Sequence, residues 1–411
     1  MKKPIITGIM LILSTALVLP VVGCNKRIEE TEPVEQSTTI EEITGEITLI
    51  GENIQYSSQC IRGDLFVGVE SKYEQGLFKQ DIFIYNLNTG ERELLLALDP
   101  SPSLIDPPSI YQNLVVWAEA DTSETDQDTE DWDRANYDIF LLDISTNQTR
   151  QITNDEYAQR GAVISSGWIA WLDDRHGTGE LYPYPPPFGV YVYDLNTGQE
   201  KRITSTTSAE GYDRLAIDDN LVVWADSRHA DPEIVTHGQN KPDYNNEIYL
   251  YDLTTGQERR VTTYPGNDNH PDIYGSRIVW VRHTDNREAD VFMYDVETGQ
   301  ETQVSHSSYA AYTPSIYEDL VVWTDARSSK GNIANDVIAT VTDKNTGKQE
   351  TRRPGADIYL FDLNSEQEKR LALVPGGGFP LWVRPSMYDG FIVYMLDRQV
   401  GPVTYALTLA E

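Results

Sequence analysis

The chain has 411 residues, a formal net charge of −33 and a mean hydropathy of −0.44. That charge excludes nucleic acid and anionic membrane surfaces as electrostatically bound partners, because both would be repelled. The length exceeds what one ordinary core holds. Aromatic residues make up 10%, with 24 Tyr and 8 Trp, which suits strands, and past residue 43 no long amphipathic helical pattern appears.

Lys2 and Lys3 precede an apolar run from Ile5 to Val22 that ends in Val21-Val22-Gly23-Cys24, the layout of a secretory signal over residues 1–23. A cysteine directly after small and apolar residues resembles the bacterial lipoprotein box. The resemblance implies cleavage before Cys24, lipidation of its sulfur and contact with the membrane through that anchor. An uncleaved single-span anchor would leave the remainder in the same compartment. Residues 24–43 (from Cys24, NKRIEETEPVEQSTTIEEI) are acidic and rich in Thr and Glu, the composition of a disordered tether. With Cys24 lipidated, Cys60 has no disulfide partner and reads as a small buried apolar residue.

From residue 44 onward the sequence rewrites one hairpin: DIFIYNLNTGERELLL (81–96), YDIFLLDISTNQTRQIT (137–153), GVYVYDLNTGQEKRIT (189–204), NNEIYLYDLTTGQERRVT (245–262), DVFMYDVETGQETQVS (290–305) and DIYLFDLNSEQEKRLA (357–372). Ile248 to Tyr251 form a run suited to a strand buried on both faces, Gly256 supplies positive φ, and Arg259 to Thr262 return. Asn147 replaces that glycine in the second copy. Glu366 replaces it in the sixth, where a different turn is expected. Asp194, Asp252, Asp295 and Asp362 precede the turns as Asx residues. Before each hairpin stands a second phrase, such as RLAIDDNLVVWADSR (214–228) or PSIYEDLVVWTDAR (314–327), giving two more strands around a Trp. QCIRGDLFVGVES (59–71) and PSMYDGFIVYMLDR (385–398) are its outlying first and last forms.

Phrase plus hairpin makes a four-stranded antiparallel blade, a–b–c–d, and the phrases number seven. The seventh unit stops after three strands. Residues 44–50 (TGEITLI) read like the missing fourth, so the expected fold is an all-β, seven-bladed β-propeller over 44–411, closed by its own N-terminal strand. The pattern W-x-D-x-R, D-I-Y-x-Y-D-L-x-T-G and R-x-T resembles the TolB-like β-propeller repeat over nearly all of 44–411. That resemblance implies the fold and little about function, since the repeat serves periplasmic binding proteins, surface proteins, and propeller domains of peptidases and lyases. No G-x-S-x-G nucleophile elbow accompanies it here.

The b–c loops vary from 15 residues (Trp280 to Asp295) to 39 (Trp323 to Asp362), marking their face as the working one. Loop 119–138 carries nine carboxylates against one Arg, including Asp126, Asp128, Asp131 and Asp133. It is a candidate Ca²⁺ site without EF-hand spacing; the alternative is a solvated acidic loop. Loop 172–189 holds Tyr182 and Tyr184 among four prolines, either a stacking wall for a sugar or peptide or a packed lid. Segment 328–357 contains a small alternating hairpin around Val337 to Val341. Arg175, Arg228 and Arg327 follow Asp173, Asp226 and Asp325; each either grips an anionic ligand or pairs with an acid of its own blade, such as Asp357 for Arg327. His176 and His229 occupy equivalent sites in neighbouring blades, His283 lies slightly earlier in the next, and His270 is on the adjoining d–a connection. Convergence at the axis would make a divalent transition-metal site, the plan of a pectic lyase family with this kind of propeller; otherwise they are ordinary hydrogen-bonded residues. The expectation is a non-catalytic, lipid-anchored envelope or periplasmic module that binds a protein or glycan through its b–c loop face. A metal-assisted polysaccharide lyase with its site at the axial mouth is the alternative.

Overall fold

A computed structural model describes residues 41–42, 45–74, 77–97, 103–121, 136–176, 188–204, 215–229, 246–283, 289–306, 310–325, 339–342, 349–352, 357–371, 384–398 and 401–409. The strands form seven sheets arranged as blades. Blade 3 is typical: strand a Gln159–Ser165, b Trp168–Asp173, c Gly189–Asp194 and d Gln199–Arg202, antiparallel in that order. Blades 4, 5 and 6 repeat it, with inner strands Leu215–Asp218, Asn267–Tyr274 and Ala311–Tyr317. Blade 2 starts its inner edge with Ser103–Ile105 and Ser109–Tyr111, blade 1 with Ile54–Gln55 and Ile61–Arg62.

Blade 7 is assembled from both chain ends. Ser386–Tyr388, Phe391–Arg398 and Gly401–Leu409 are completed by Gly45–Glu52, which runs antiparallel to the last strand from the Gly45↔Leu409 pair to Glu52↔Val403. The expected closure is therefore observed, starting one residue later and ending two residues later than the sequence suggested. This gives the seventh blade its fourth strand and ties the two ends of the chain together. Just before it, Glu41–Glu42 adds a short parallel strand to the outer strand of blade 6.

Register explains the repeated aromatic residues. Trp117, Trp171, Trp224, Trp280 and Trp323 each pair across strands with an aromatic residue of strand c, from Trp117↔Phe140 to Trp323↔Tyr359. The rings stack 5.7–6.1 Å apart, which contributes about 0.5–1.5 kcal/mol per pair beyond burial. Tyr394 and Tyr405 do the same in blade 7. In blade 1 the position is Gly68, where a Cβ would come within 2.9 Å of Ile54 and 3.1 Å of Phe66. Phe66 fills the volume that Trp occupies elsewhere. Apolar clusters lie between consecutive blades, as with Ala216, Val223 and Ile248 of blade 4 against Ile273, Ile278 and Trp280 of blade 5. Burial is thus achieved by stacking units that are thin when taken singly.

The c–d turns are uniform. In blades 3, 4 and 5 the Asx acceptors Asp194, Asp252 and Asp295 take the backbone N–H two residues on at 2.8–2.9 Å, and Gly198, Gly256 and Gly299 sit at φ 70–72°. Asn147 takes φ 52°. Glu366 corrects the expectation of a different sixth turn: it adopts φ 55°, and Asn364 and Ser365 donate to Asp362 as their counterparts do elsewhere. Neighbouring geometry dictates the turn and Glu366 bears the strain. The added hairpin of blade 6 pairs Ala339–Thr342 with Gln349–Arg352, displaced toward the C-terminus from the residues that signalled it.

Candidate functional site

Strand a of every blade borders the axis, and each interblade junction is tied there by a hydrogen bond. Ile110 N donates to Gln59 O (3.1 Å), Ile164 N to Ser109 Oγ (3.4 Å), Asp219 N to Ser165 Oγ (3.1 Å) and Gly275 N to Asp218 Oδ2 (2.8 Å). Ile316 N donates to Asp272 Oδ2 (3.1 Å), Met387 N to Ser315 Oγ (3.3 Å) and Ser386 Oγ to Ser58 O (2.7 Å). Inner-strand edges are otherwise unpaired, so these bonds answer a requirement of the ring. Gln59 spans the axis itself: Nε2 donates to Ile217 O (2.7 Å), and Ile217 N donates to Oε1 (3.3 Å). It separates an upper axial cavity, on the b–c loop face, from a lower one.

The upper cavity opens to solvent and is lined by Tyr56, Asp106, Gly161, His270, Thr313 and Arg384. Its wall comes from a bulge repeated at the start of strand a. In blades 3, 5 and 6 the register slips at Arg160/Val163, Asn269/Asp272 and Tyr312/Ser315. Gly161, His270 and Thr313 stand at those bulges with φ 62°, 53° and 46°. Such bulges re-aim side chains next to working sites. Pro271, Pro314, Pro385 and Pro107 follow the mouth residues His270, Thr313, Arg384 and Asp106 and fix the backbone there. Asp106 is committed to positioning: Arg160 donates to it twice (3.0 and 2.6 Å) and Gly161 N once (3.2 Å). Tyr56 donates to Arg384 O (2.7 Å), and burial raises its pKa well above the ordinary phenol range. His270, Thr313 and Arg384 bring three polar residues to the lining of one mouth.

The other histidines do not join this mouth. His176 Nδ1 and the Tyr191 hydroxyl are 2.7 Å apart, His229 packs edge-on against Tyr249, and His283 lies against Tyr312. Each is held beside its own or the next blade. Among the described residues no group of three or more His, Cys, Asp or Glu is placed to hold a metal. His176, His229, His270 and His283 thus form no three-ligand group among the described residues.

Arg175 and Arg228 are structural. Trp171 Nε1 donates to Asp173 (3.1 Å), Asp173 receives Arg175 (2.8 and 2.6 Å), and Arg175 reaches Glu200 on strand d (2.7 Å). Trp224, Asp226, Arg228 and Glu258 repeat the chain in blade 4. Both guanidinium groups lie over the strand-c tyrosine, 4.5 Å from Tyr191 and 4.1 Å from Tyr249. Neither is available to grip a ligand. Blade 5 reaches the same end differently: Arg282 stands where the acid should be, Asp268 of strand a supplies the carboxylate, and the Trp280 N–H is left without a partner. Asp357, assigned to Arg327 from sequence, is held by Arg370 (2.7 Å). Arg327, Tyr182, Tyr184, Asp126, Asp128, Asp131, Asp133 and Cys24 lie outside the described residues. Cys60 is buried, and desolvation pushes its thiol up to about 12, so it is unreactive.

Sequence reasoning missed the lower mouth. Arg62, Tyr111, Tyr274, Tyr317 and Tyr388 occupy one position on five inner strands, with Arg62 stacked on Tyr111 (4.4 Å) and Tyr388 (4.8 Å). The signal was present in the phrases PSIYQ, PDIYG, PSIYE and PSMYD, where the tyrosine stands just before the turn.

No family model and no curated protein matches this sequence. Solved structures do. An oligogalacturonate lyase in complex with manganese aligns at TM-score 0.53 and 15% identity, over 90% of this chain and 94% of that one. The β-propeller domain of the Trilobed protease from Pyrococcus furiosus aligns at 0.55 and 13%, over 88% and 94%. A putative TolB from Agrobacterium tumefaciens aligns at 0.45 and 13%, over 80% and 98%. At these identities the likeness concerns fold alone. The seven-bladed propeller that the TolB-like repeat implies is the fold observed. The Pyrococcus domain is described as having an open velcro topology, whereas here Gly45–Glu52 closes the last blade.

Proposed function

We propose that this protein is a non-catalytic binding propeller of the cell envelope, exported and anchored through lipidated Cys24, which recognises a protein or glycan at the upper axial mouth. The observation carrying this is the repeated bulge. It turns His270 and Thr313 toward one mouth shared with Arg384, on the face where the variable b–c loops arise. Rigid backbone presenting a few convergent polar groups is what a binding cavity needs. Arg175 and Arg228 of the repeat motif are taken up in pairs with Asp173 and Asp226 of their own blades. A metal-assisted polysaccharide lyase is the second reading. It rests on the shared fold and on His270, and would require ligands from the b–c loops.

The test is site-specific photo-crosslinking in intact cells. A crosslinker at Ser57, beside the mouth, should capture an envelope protein or glycan, and one at Thr298, in a c–d turn on the opposite face, should not. Capture from Thr298 and none from Ser57 would overturn the proposal. Manganese-dependent cleavage of oligogalacturonate by the purified protein would establish the second reading.

A further inference from the structure

Outer strands of a propeller expose one backbone edge each, and this chain protects most of them. The outer strands of blades 2 to 5 read QTRQ, QEKR, QERR and ETQ, only three or four residues long and entirely polar or charged. Blade 6 has QEKRL, and its edge is covered in part by Glu41–Glu42. Short, charged edges are the usual defence against unwanted strand pairing. Blade 7 lacks it. Its outer strand is the eight-residue GEITLIGE, with Ile47 51% and Leu49 56% exposed, and among the described residues no strand pairs with its outer edge. Blade 1 beside it exposes Leu94 on its outer strand RELLLA and, on its b–c hairpin, the contacting rings of Tyr73 and Phe78 (5.3 Å). Five of the seven large apolar side chains exposed among the described residues belong to these two neighbouring blades.

We propose that the outer edge of Gly45–Glu52 is a strand-addition site for a partner protein, separate from the axial mouth. The occupant is an extended segment with alternating apolar residues that cover Ile47 and Leu49, carrying Lys or Arg near its ends. Three observations select that chemistry. Glu46 and Glu52 are exposed at either end of the apolar stretch, in a chain of net charge −33, so the complement is basic. A bilayer would leave the unpaired N–H and C=O groups of this edge unsatisfied in hydrocarbon, which disfavours lipid as the occupant. A second copy would bring a like charge of the same size against this one. The chain itself already adds a strand to the adjacent blade through Glu41–Glu42, so these outer edges accept strands geometrically.

The test uses the full-length protein and a labelled peptide of alternating Val and Thr with two lysines at each end, followed by fluorescence anisotropy. Saturable binding is expected, weakened on the order of tenfold or more by Ile47→Lys with Leu49→Lys, which places like charges together. Both side chains are over half exposed, so the double variant should melt with the wild type. A peptide with glutamates replacing the lysines provides a control that leaves the protein unaltered, and it should not bind. No saturable binding, equal binding to the double variant, or equal binding of the glutamate peptide overturns the proposal. Capture by phosphatidylcholine vesicles without peptide binding, or a dimer abolished by the double variant without peptide binding, overturns it in favour of a bilayer or a second copy.

Discussion

Asp272 gives the sharpest test of how the ring is held. It lies in the axial wall, 4% exposed, and its Oδ2 accepts the Ile316 N–H of the next blade at 3.1 Å. Burial pushes its carboxyl up to about 6, against 3.8 for the free group, although the Ile316 amide and the Ser315 hydroxyl partly offset that. A raised acid favours the folded state when protonated. Its contribution is complete below the unfolded pKa and is lost as pH rises through about 6. The full span is about 3 kcal/mol, of which about 1.4 kcal/mol falls between pH 5 and pH 8, clear of the isoelectric region. Asp272→Asn keeps an oxygen for Ile316 and a donor for Ser315 but cannot ionise. The melting temperature of the variant relative to wild type should therefore rise by about 2 °C between pH 5 and pH 8 for a domain of this size. Tryptophan fluorescence during thermal unfolding at pH 5, 6, 7 and 8 measures it, because five of the tryptophans are fully buried. A difference in melting temperature that stays constant across the series would refute the assignment of a desolvated carboxyl at this junction.

Glu366→Gly should stabilise the protein by about 0.5–1 kcal/mol, since the left-handed conformation costs an L residue about 1–2 kcal/mol and glycine returns about 0.5–1 as entropy; a lower melting temperature would contradict it. Arg228→Met leaves the fully buried Asp226 without its cation and should cost about 3–5 kcal/mol, read as a fall in melting temperature. Trp224→Phe should cost about 1 kcal/mol more than Trp280→Phe, because only Trp224 loses a hydrogen bond, 3.0 Å to Asp226. Equal losses in urea titrations of the two variants would show that the indole bond contributes nothing.

The sequence by itself determined the ring. Each blade needs an apolar strand, an Asx turn with a left-handed residue and a Trp opposite a strand-c aromatic, and these are local requirements written into every copy. Even closure was legible, because Thr44-Gly45-Glu46 repeats the opening of another outer strand. The roles of Arg175 and Arg228 were legible for the same reason: a device present in several blades serves the blade. What only the tertiary structure decided is where side chains from different blades meet. His176 follows strand b of its blade and His283 ends strand b of another, whereas His270 lies on strand a, where a one-residue bulge turns it to the axis while Tyr191 and Tyr312 lie against the other two. The slip of register that makes the bulge leaves no mark in hydrophobic periodicity. Glu366 lies at the opposite limit, where residue type argued for a new turn and the flanking strands imposed the common one. Blade 7's outer strand combines both lessons: its composition was visible from the start, but only the closed ring places Ile47 and Leu49 on an edge with water instead of a neighbour.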